Sequence, residues 1–379
     1  MKQAMGFRFL GLQICRRMKI NMIKLGDVAT YINGYAFKPE DRGVVGLPII
    51  RIQDLTGSAY DLGFYDGDYP KRIEINDGDV LISWSASLGV YVWNGGRALL
   101  NQHIFKVQFD KADIDKRYFV YAVRQKLAEL TMKTHGATMK HIVKKDFEET
   151  SIPYPSQKKQ IEIGINLDKI ANIIAARKQQ LELLDELVKA RFVEMFGNPV
   201  LNDKRWEQKS LGDITTKIGS GATPKGGKET YQEKGITLIR SMNVHNGKFE
   251  YKDLAHISDE QGAKLDNVMI EENDVLLNIT GASVARSCVV PNNILPARVN
   301  QHVCIIRCKK CIIPEFLNNL LIDDNYQELL WNIAGSGATR EAITKQQVEN
   351  LNIILPSIEL QNEFIVFCKQ IDKSKFSFP

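Results

Sequence analysis

"LLNQHIFKV" (Leu99–Val107) and "RVNQHVCII" (Arg298–Ile306) place the same Asn-Gln-His inside an apolar run twice in one chain. Alone, a three-residue match carries little. What decides the matter is whether other matches keep the same order, because an overlooked repeat misassigns a whole architecture. They do. "KLGDVATYING" (Lys24–Gly34) matches "SLGDITTKIGS" (Ser210–Ser220), and "LPIIRIQDL" (Leu47–Leu55) matches "ITLIRSMNV" (Ile236–Val244). "NDGDVLISWSASLG" (Asn76–Gly89) matches "EENDVLLNITGASV" (Glu271–Val284). After the Asn-Gln-His pair, "THGATMKHIVKKDF" (Thr134–Phe147) matches "GSGATREAITKQQV" (Gly335–Val348), and "SIPYPSQKKQ" (Ser151–Gln160) matches "NIILPSIELQ" (Asn352–Gln361). The offset drifts from 186 to 201 residues, as small loop insertions would make it. The chain is a tandem duplication, each copy about one domain long.

Composition is that of an ordinary globular chain, 44% hydrophobic and 25% charged, and no apolar stretch is long enough for a membrane span. The net charge of +5 is not spread evenly. Residues 1–22 hold five Lys/Arg and no acid, whereas residues 23–155 hold 17 of each sign and residues 201–356 hold 18 basic and 19 acidic. Both copies are therefore neutral, and any polyanion must be met by local clusters. Arg8 interrupts the apolar run of the first 22 residues and no small-residue cleavage site follows, so they read as a loose leader. Met18 and Met22 are alternative starts. Cys308-x-x-Cys311 beside Cys304 has zinc-like spacing, but the first copy has no Cys there, so the fold needs no metal at that place.

Each copy opens with short β-branched runs such as "DVLISW" and "HVCIIRC", read as strands of a mixed, mostly antiparallel sheet. A helical stretch follows, "DKRYFVYAVRQKLAELTMKT" in one copy and "PEFLNNLLIDDNYQELLWNIA" in the other. The fold class is α+β. Residues 156–197 then run without proline: Leu167, Ile174, Leu181, Val188 and Met195 fall seven apart, with Ile163, Ile170 and Leu184 as companions and Arg177 and Arg191 interrupting. That is a coiled-coil seam on a rod of about 60 Å. The second copy ends in a shorter helix, residues 357–373. On this reading Leu181–Phe196 lacks an intramolecular partner, which predicts a partner chain, aggregation or a truncated product.

No catalytic pattern emerges. "GATPKGGKET" (Gly221–Thr230) misses the phosphate-loop spacing, since Gly227 stands where Lys is required. There is no Gly-x-Ser-x-Gly elbow, no His-Glu-x-x-His helix and no Asp/Asn-Pro-Pro-aromatic run. His103 and His302 are twins, but no nucleophile is repeated beside them. Asp79/Asp274 and Asp27/Asp213 repeat at turn positions, where Asp commonly caps.

These blocks together resemble the DNA specificity (S) subunit of type I restriction–modification systems, over Leu25 to about Ile371. The matching features are the Leu-Gly-Asp openers, the Gly221-Ala222-Thr223-Pro224 turn, the Asp-Val-Leu strands, the Asn-Gln-His blocks, the Gly-Ala-Thr segments and the Pro-Ser helix starts. The resemblance implies two target-recognition domains, 23–155 and 198–356, separated by long coiled-coil spacer helices in a pseudo-twofold repeat. It implies a cytoplasmic, non-catalytic reader of double-stranded DNA, one half-site of an asymmetric bipartite target per domain. It further implies two methylation subunits carrying S-adenosylmethionine, and restriction subunits carrying ATP and Mg. Positions common to both copies cannot explain different half-sites. Arg51, Asn101, Gln102, His103, Thr138, Arg240, Asn300, Gln301, His302 and Thr339 are thus expected as scaffold or phosphate contacts. Positions that differ within matched loops are the expected base readers: Ser83, Trp84, Lys140 and His141 in the first copy; Lys225, Asn278, Thr280, Arg340 and Glu341 in the second. Three rival readings stay open: a self-contained DNA methyltransferase or endonuclease, a truncated inactive specificity protein, and a tandem binding module for another polymer such as a polysaccharide.

Overall fold

The structure, a computed structural model, describes residues 21–133, 142–224, 226–335 and 341–376. The chain divides into two compact units, Met1–Ala176 and Arg177–Pro379. In the first, the strands are β1 (Met22–Lys24), β2 (Thr30–Asn33), β3 (Leu47–Ile50), β4 (Gly63–Tyr65), β5 (Glu74–Ile75), β6 (Val80–Ser83), β7 (Gly89–Val92), β8 (Ala98–Leu100), β9 (Ile104–Gln108) and β10 (Ser151–Pro153). They form a sheet of order β2-β9-β6-β7, a sheet of order β4-β3-β8-β5 and the pair β1-β10. All pairs are antiparallel except β3 with β8.

The apolar runs of the sequence do not alternate, and the layering explains why. Val80, Ile82, Phe105 and Val107 pack under helix α1 (Lys116–Lys133), against Phe119, Val123 and Leu127. Leu81 and Ile104 face the other way, onto Ile50, Ile75, Ala98 and Leu100 of the second sheet. A strand covered on both faces has no polar side to show.

Helix α2 spans Gln157–Phe196 and stops where Gly197 takes φ +75°, the left-handed cap that favours glycine. Its first turns are tied to the first unit. Gln160 accepts from the Asp115 amide at 3.0 Å and donates to the Pro155 carbonyl at 2.8 Å, and Asp168 accepts from the Tyr121 hydroxyl at 2.7 Å.

The second unit repeats the plan. Its strands are β11 (Gln208–Ser210), β12 (Thr215–Ser220), β13 (Ile236–Ile239), β14 (Val244–His245), β15 (Lys248–Phe249), β16 (Ala255–Ile257), β17 (Val275–Asn278), β18 (Ser287–Val289), β19 (Ala297–Val299), β20 (Val303–Cys308) and β21 (Asn352–Ile354). The sheets β12-β20-β17-β18 and β16-β13-β19 and the pair β11-β21 stand where their counterparts do in the first unit, and β13 with β19 is again the parallel pair. The expected single helix is two, α3 (Pro314–Leu321) and α4 (Asp324–Gly335). Asp323 breaks it by accepting from the Asn325 and Tyr326 amides, the competition that sends Asp to helix starts. Among the described residues no helix is long and apolar enough to cross a membrane and no His/Cys/Asp/Glu group is placed to hold a metal. Cys304 and Cys308 lie in β20, where burial pushes both thiols up to about 12.

Helix α5 (Ile358–Phe376) corrects the expectation about the long helix. It runs antiparallel to residues 177–196 and covers the stretch expected to be bare. Arg177 donates to the Lys375 carbonyl, Lys375 pairs with Asp185 at 2.7 Å, and Arg191 pairs with Glu363 at 2.9 Å. Phe364 is fully buried against Phe192 and Phe196. The two arginines that interrupt the heptad thus lie in the seam and bond across it. Ile170, Ile173 and Ile174, by contrast, are more than half exposed. Phe364→Ala should cost about 3–5 kcal/mol in denaturant unfolding, and Val366→Ala, on the exposed side of the same helix, within about 0.5 kcal/mol. Equal losses would contradict this packing.

Candidate functional site

In both units Asn-Gln-His is a corner. β8 belongs to one sheet and β9 to the other, with Asn101–His103 between them; Asn300–His302 joins β19 to β20 in the same way. Three residues must turn the chain from one layer into the next. The asparagines fix that turn: the Asn101 side chain accepts from the Gln102 amide at 2.7 Å, and Asn300 from the His302 amide at 3.1 Å. Their own amides donate to Ile50 and Ile239, each at 3.0 Å. His103 sits at φ +71°, where a non-glycine residue is uncommon.

Three further segments converge on each corner. The first is the loop after the opening strand. The Gly34 amide donates to Ile104 and Gly221 to Asn300. The loops come so close that a Cβ on Gly34 would fall 2.0 Å from the Asn101 oxygen, and one on Gly221 1.7 Å from the Val299 oxygen. The second is the residue after the central strand: the Trp84 amide donates to His103 at 3.1 Å, and Ile279 to His302 at 3.0 Å. The third follows the Gly-Ala-Thr segment: Ile142 donates to Trp84 at 3.0 Å, Ile343 to Ile279 at 2.8 Å. The same segments meet at the corner in both units, although the left-handed φ of His103 is not repeated at His302 and the asparagine caps differ by one residue.

The side chains at the corner differ. In the first unit the Trp84 ring meets His103 edge-on at 4.8 Å and stacks on Phe105 at 5.8 Å. Its indole N–H donates to the Asn33 side chain at 3.2 Å. His103 Nδ1 is buried without a hydrogen-bond partner among the described residues. In the second unit the apolar Ile279 replaces Trp84, and a polar chain forms. Thr223 donates to Gln301, Gln301 meets His302 Nε2 at 3.0 Å, and His302 Nδ1 lies 2.5 Å from the Thr280 hydroxyl. Glu341 is exposed beside it, its carbonyl accepting from the Gly281 amide.

Of the expected base readers, Trp84, Thr280 and Glu341 reach this junction. Ser83 and Asn278 do not present themselves: both are fully buried, Ser83 bonding the Ser87 carbonyl and Asn278 the Ser241 carbonyl. Their position at a strand end sits under the second sheet, so they hold the loop rather than face a ligand. Lys140, His141, Lys225, Arg340, Thr138 and Thr339 lie outside the described residues. Gln102 is exposed at the first corner. Asn33 and Thr223 went unremarked as site residues; the signal available was their place beside the closely packed Gly34 and Gly221.

Arg51 and Arg240 lie off the junction. Arg51 holds Asp54 at 3.0 Å and the Asp61 carbonyl; Arg240 holds the Asp253 carbonyl, with its guanidinium 5.5 Å from the Tyr231 ring centre. Arg51→Ala and Arg240→Ala should each lower stability by roughly 1–3 kcal/mol in thermal or denaturant unfolding and leave ligand selectivity unchanged. Altered selectivity at unchanged stability would contradict the scaffold role.

Comparison with known proteins agrees with the geometry. The sequence matches the type I restriction modification DNA specificity domain twice, over residues 18–184 and 203–377. It is 25% identical to the type I restriction enzyme EcoBI specificity subunit of Escherichia coli, across 92% of this chain and 78% of that one. It is 23% identical to the MjaVIII specificity subunit of Methanocaldococcus jannaschii, across 80% and 74%. In fold it is similar to the S subunit from M. genitalium, with TM-score 0.58 at 14% identity over 94% of this chain and 91% of that one. A chain solved in a study of type I R-M complex assembly gives TM-score 0.58 at 16% identity over 95% and 93%. The duplicated corner, its twin sheets and these matches place the chain in the type I restriction–modification specificity-domain family, as a specificity subunit with two target-recognition domains.

Proposed function

We propose that each unit reads one half of an asymmetric, bipartite double-stranded DNA target and that the chain, itself non-catalytic, directs partner subunits to it. One observation carries the reading: the same segments meet at the same three-residue corner twice, and its partly exposed side chains differ, Trp84 over His103 in one unit and Thr280 on His302 in the other. A common frame with different rims is what two unlike half-sites ask for. Recognition is assigned to 23–155 and 198–356, with 156–197 and 357–373 as spacer helices. Trp84, Thr280 and Glu341 are the proposed base readers, and Lys140, His141, Lys225 and Arg340 carry the same role from the sequence. Gln102, Gln301 and the Thr138/Thr339 pair are proposed for shared contacts to phosphate or scaffold. The partners are two methylation subunits that bring S-adenosylmethionine, and restriction subunits that bring ATP and Mg, acting on cytoplasmic DNA.

Co-expression with the methylation subunit encoded beside it, followed by methylation mapping of host DNA, should yield one asymmetric motif of two separated half-sites. The purified assembly should lose roughly 10³-fold in DNA affinity between about 50 and 200 mM salt. Methylation by this chain alone, or binding indifferent to both DNA and salt, would overturn the reading.

A further inference from the structure

The four side chains around the second corner form a chain in which each donor fixes the next. Thr223 donates its hydroxyl proton to Gln301 Oε1. With that oxygen engaged, Gln301 presents its amide nitrogen to His302 Nε2 at 3.0 Å. An amide NH₂ only donates, so Nε2 must be the ring's lone-pair nitrogen and the neutral ring carries its proton on Nδ1. Nδ1 lies 2.5 Å from Thr280 Oγ1. The Thr280 hydroxyl therefore accepts from the ring, and its own proton is left to point elsewhere. Thr280 is half-buried, two residues past the central strand, and its hydroxyl makes no other hydrogen bond among the described residues.

We propose that Thr280 is a specificity-determining donor. The Thr223–Gln301–His302 relay aims its hydroxyl proton at an acceptor on a base edge (purine N7, guanine O6 or thymine O4) of the half-site read by the second unit. This rests on the DNA-reading function proposed above. Two features favour a base over a phosphate. A neutral, single, orientationally fixed donor adds selectivity and little charge-driven affinity, whereas the charge-driven hold on phosphates comes from Lys and Arg. Among the described residues the relay also belongs to one unit alone. In the first unit Ser85, the counterpart of Thr280, is buried, and His103 Nδ1 has no hydrogen-bond partner among the described residues. A backbone contact common to both half-sites would not need a device found in one.

Two measurements test it. In the full chain labelled with ¹⁵N-histidine, the neutral His302 ring should show the nitrogen shifts of the Nδ1-protonated tautomer; a neutral ring protonated on Nε2 reverses the relay and overturns the proposal without reference to DNA. In the assembly with methylation subunits, affinities are then measured for the mapped target and for each single-base replacement in the second half-site. For Thr280→Val, discrimination at one position should fall about five- to tenfold and the first half-site should be read as before; Thr280→Ser should retain it. A Thr280→Val profile identical to the parent's, or a loss spread evenly over all positions as a phosphate contact would give, overturns the base assignment. If the parent assembly reads no bipartite sequence, it is the underlying function that falls, and the proposal with it.

Discussion

The structure of each unit depends on one constraint: in three residues the chain must leave one sheet and enter another that is packed against it. Asn101 and Asn300 meet it with side chains that cap the turn and amides that bond the parallel neighbour strand. Gly34 and Gly221 meet it by having no Cβ where a carbonyl oxygen stands. Because the corner lies where both layers end, three separate segments meet on it. That places the loop after the opening strand, the end of the central strand and the segment after Gly-Ala-Thr side by side, although they are far apart in sequence. The interior on either side of the corner is apolar and covered on both strand faces, so the polar side chains of the junction are left at its rim.

Much of this was legible in the sequence, for identifiable reasons. A duplication shows itself by ordered matches whatever the fold, and unbroken runs such as "DVLISW" announce strands without a wet face. The seam of the long helix was legible as a heptad, but its pairing register was not. An antiparallel partner beginning at Ile358 meets the end of the long helix first, because Phe364 fits between Phe192 and Phe196. Heptads fix a seam and not an offset, so the unpaired stretch was assigned to the wrong half. Arg177 and Arg191 looked like interruptions because a one-dimensional pattern scores charge as exposure. In the fold they span the seam to Lys375 and Glu363. Ser83 and Asn278 failed as base readers for a related cause. Their divergence between copies marked them as variable, but a varying residue under a second sheet changes packing, not recognition.

The two units share a frame and differ at its rim, which gives a simple account of how such a protein changes its target. Substitutions at Trp84 or Thr280 alter what is presented without disturbing the Asn-mediated corner, since the bonds that build the corner run through backbone groups and asparagine side chains. The core beneath is free to stay constant while the rim varies. On the proposed reading, the near-neutral charge of the two units is no obstacle: a few fixed polar groups would carry recognition, with local cations supplying the electrostatic hold.

The central claim, one unit for one half-site, is tested most directly by exchange. Residues 23–155 are replaced by the corresponding unit of another specificity subunit with a known target, residues 156–379 are kept, and the methylated motif is mapped in the assembly. The account predicts a hybrid motif in which one half-site is new and the other is that of the parent. A motif altered in both halves, or left unchanged, would contradict it.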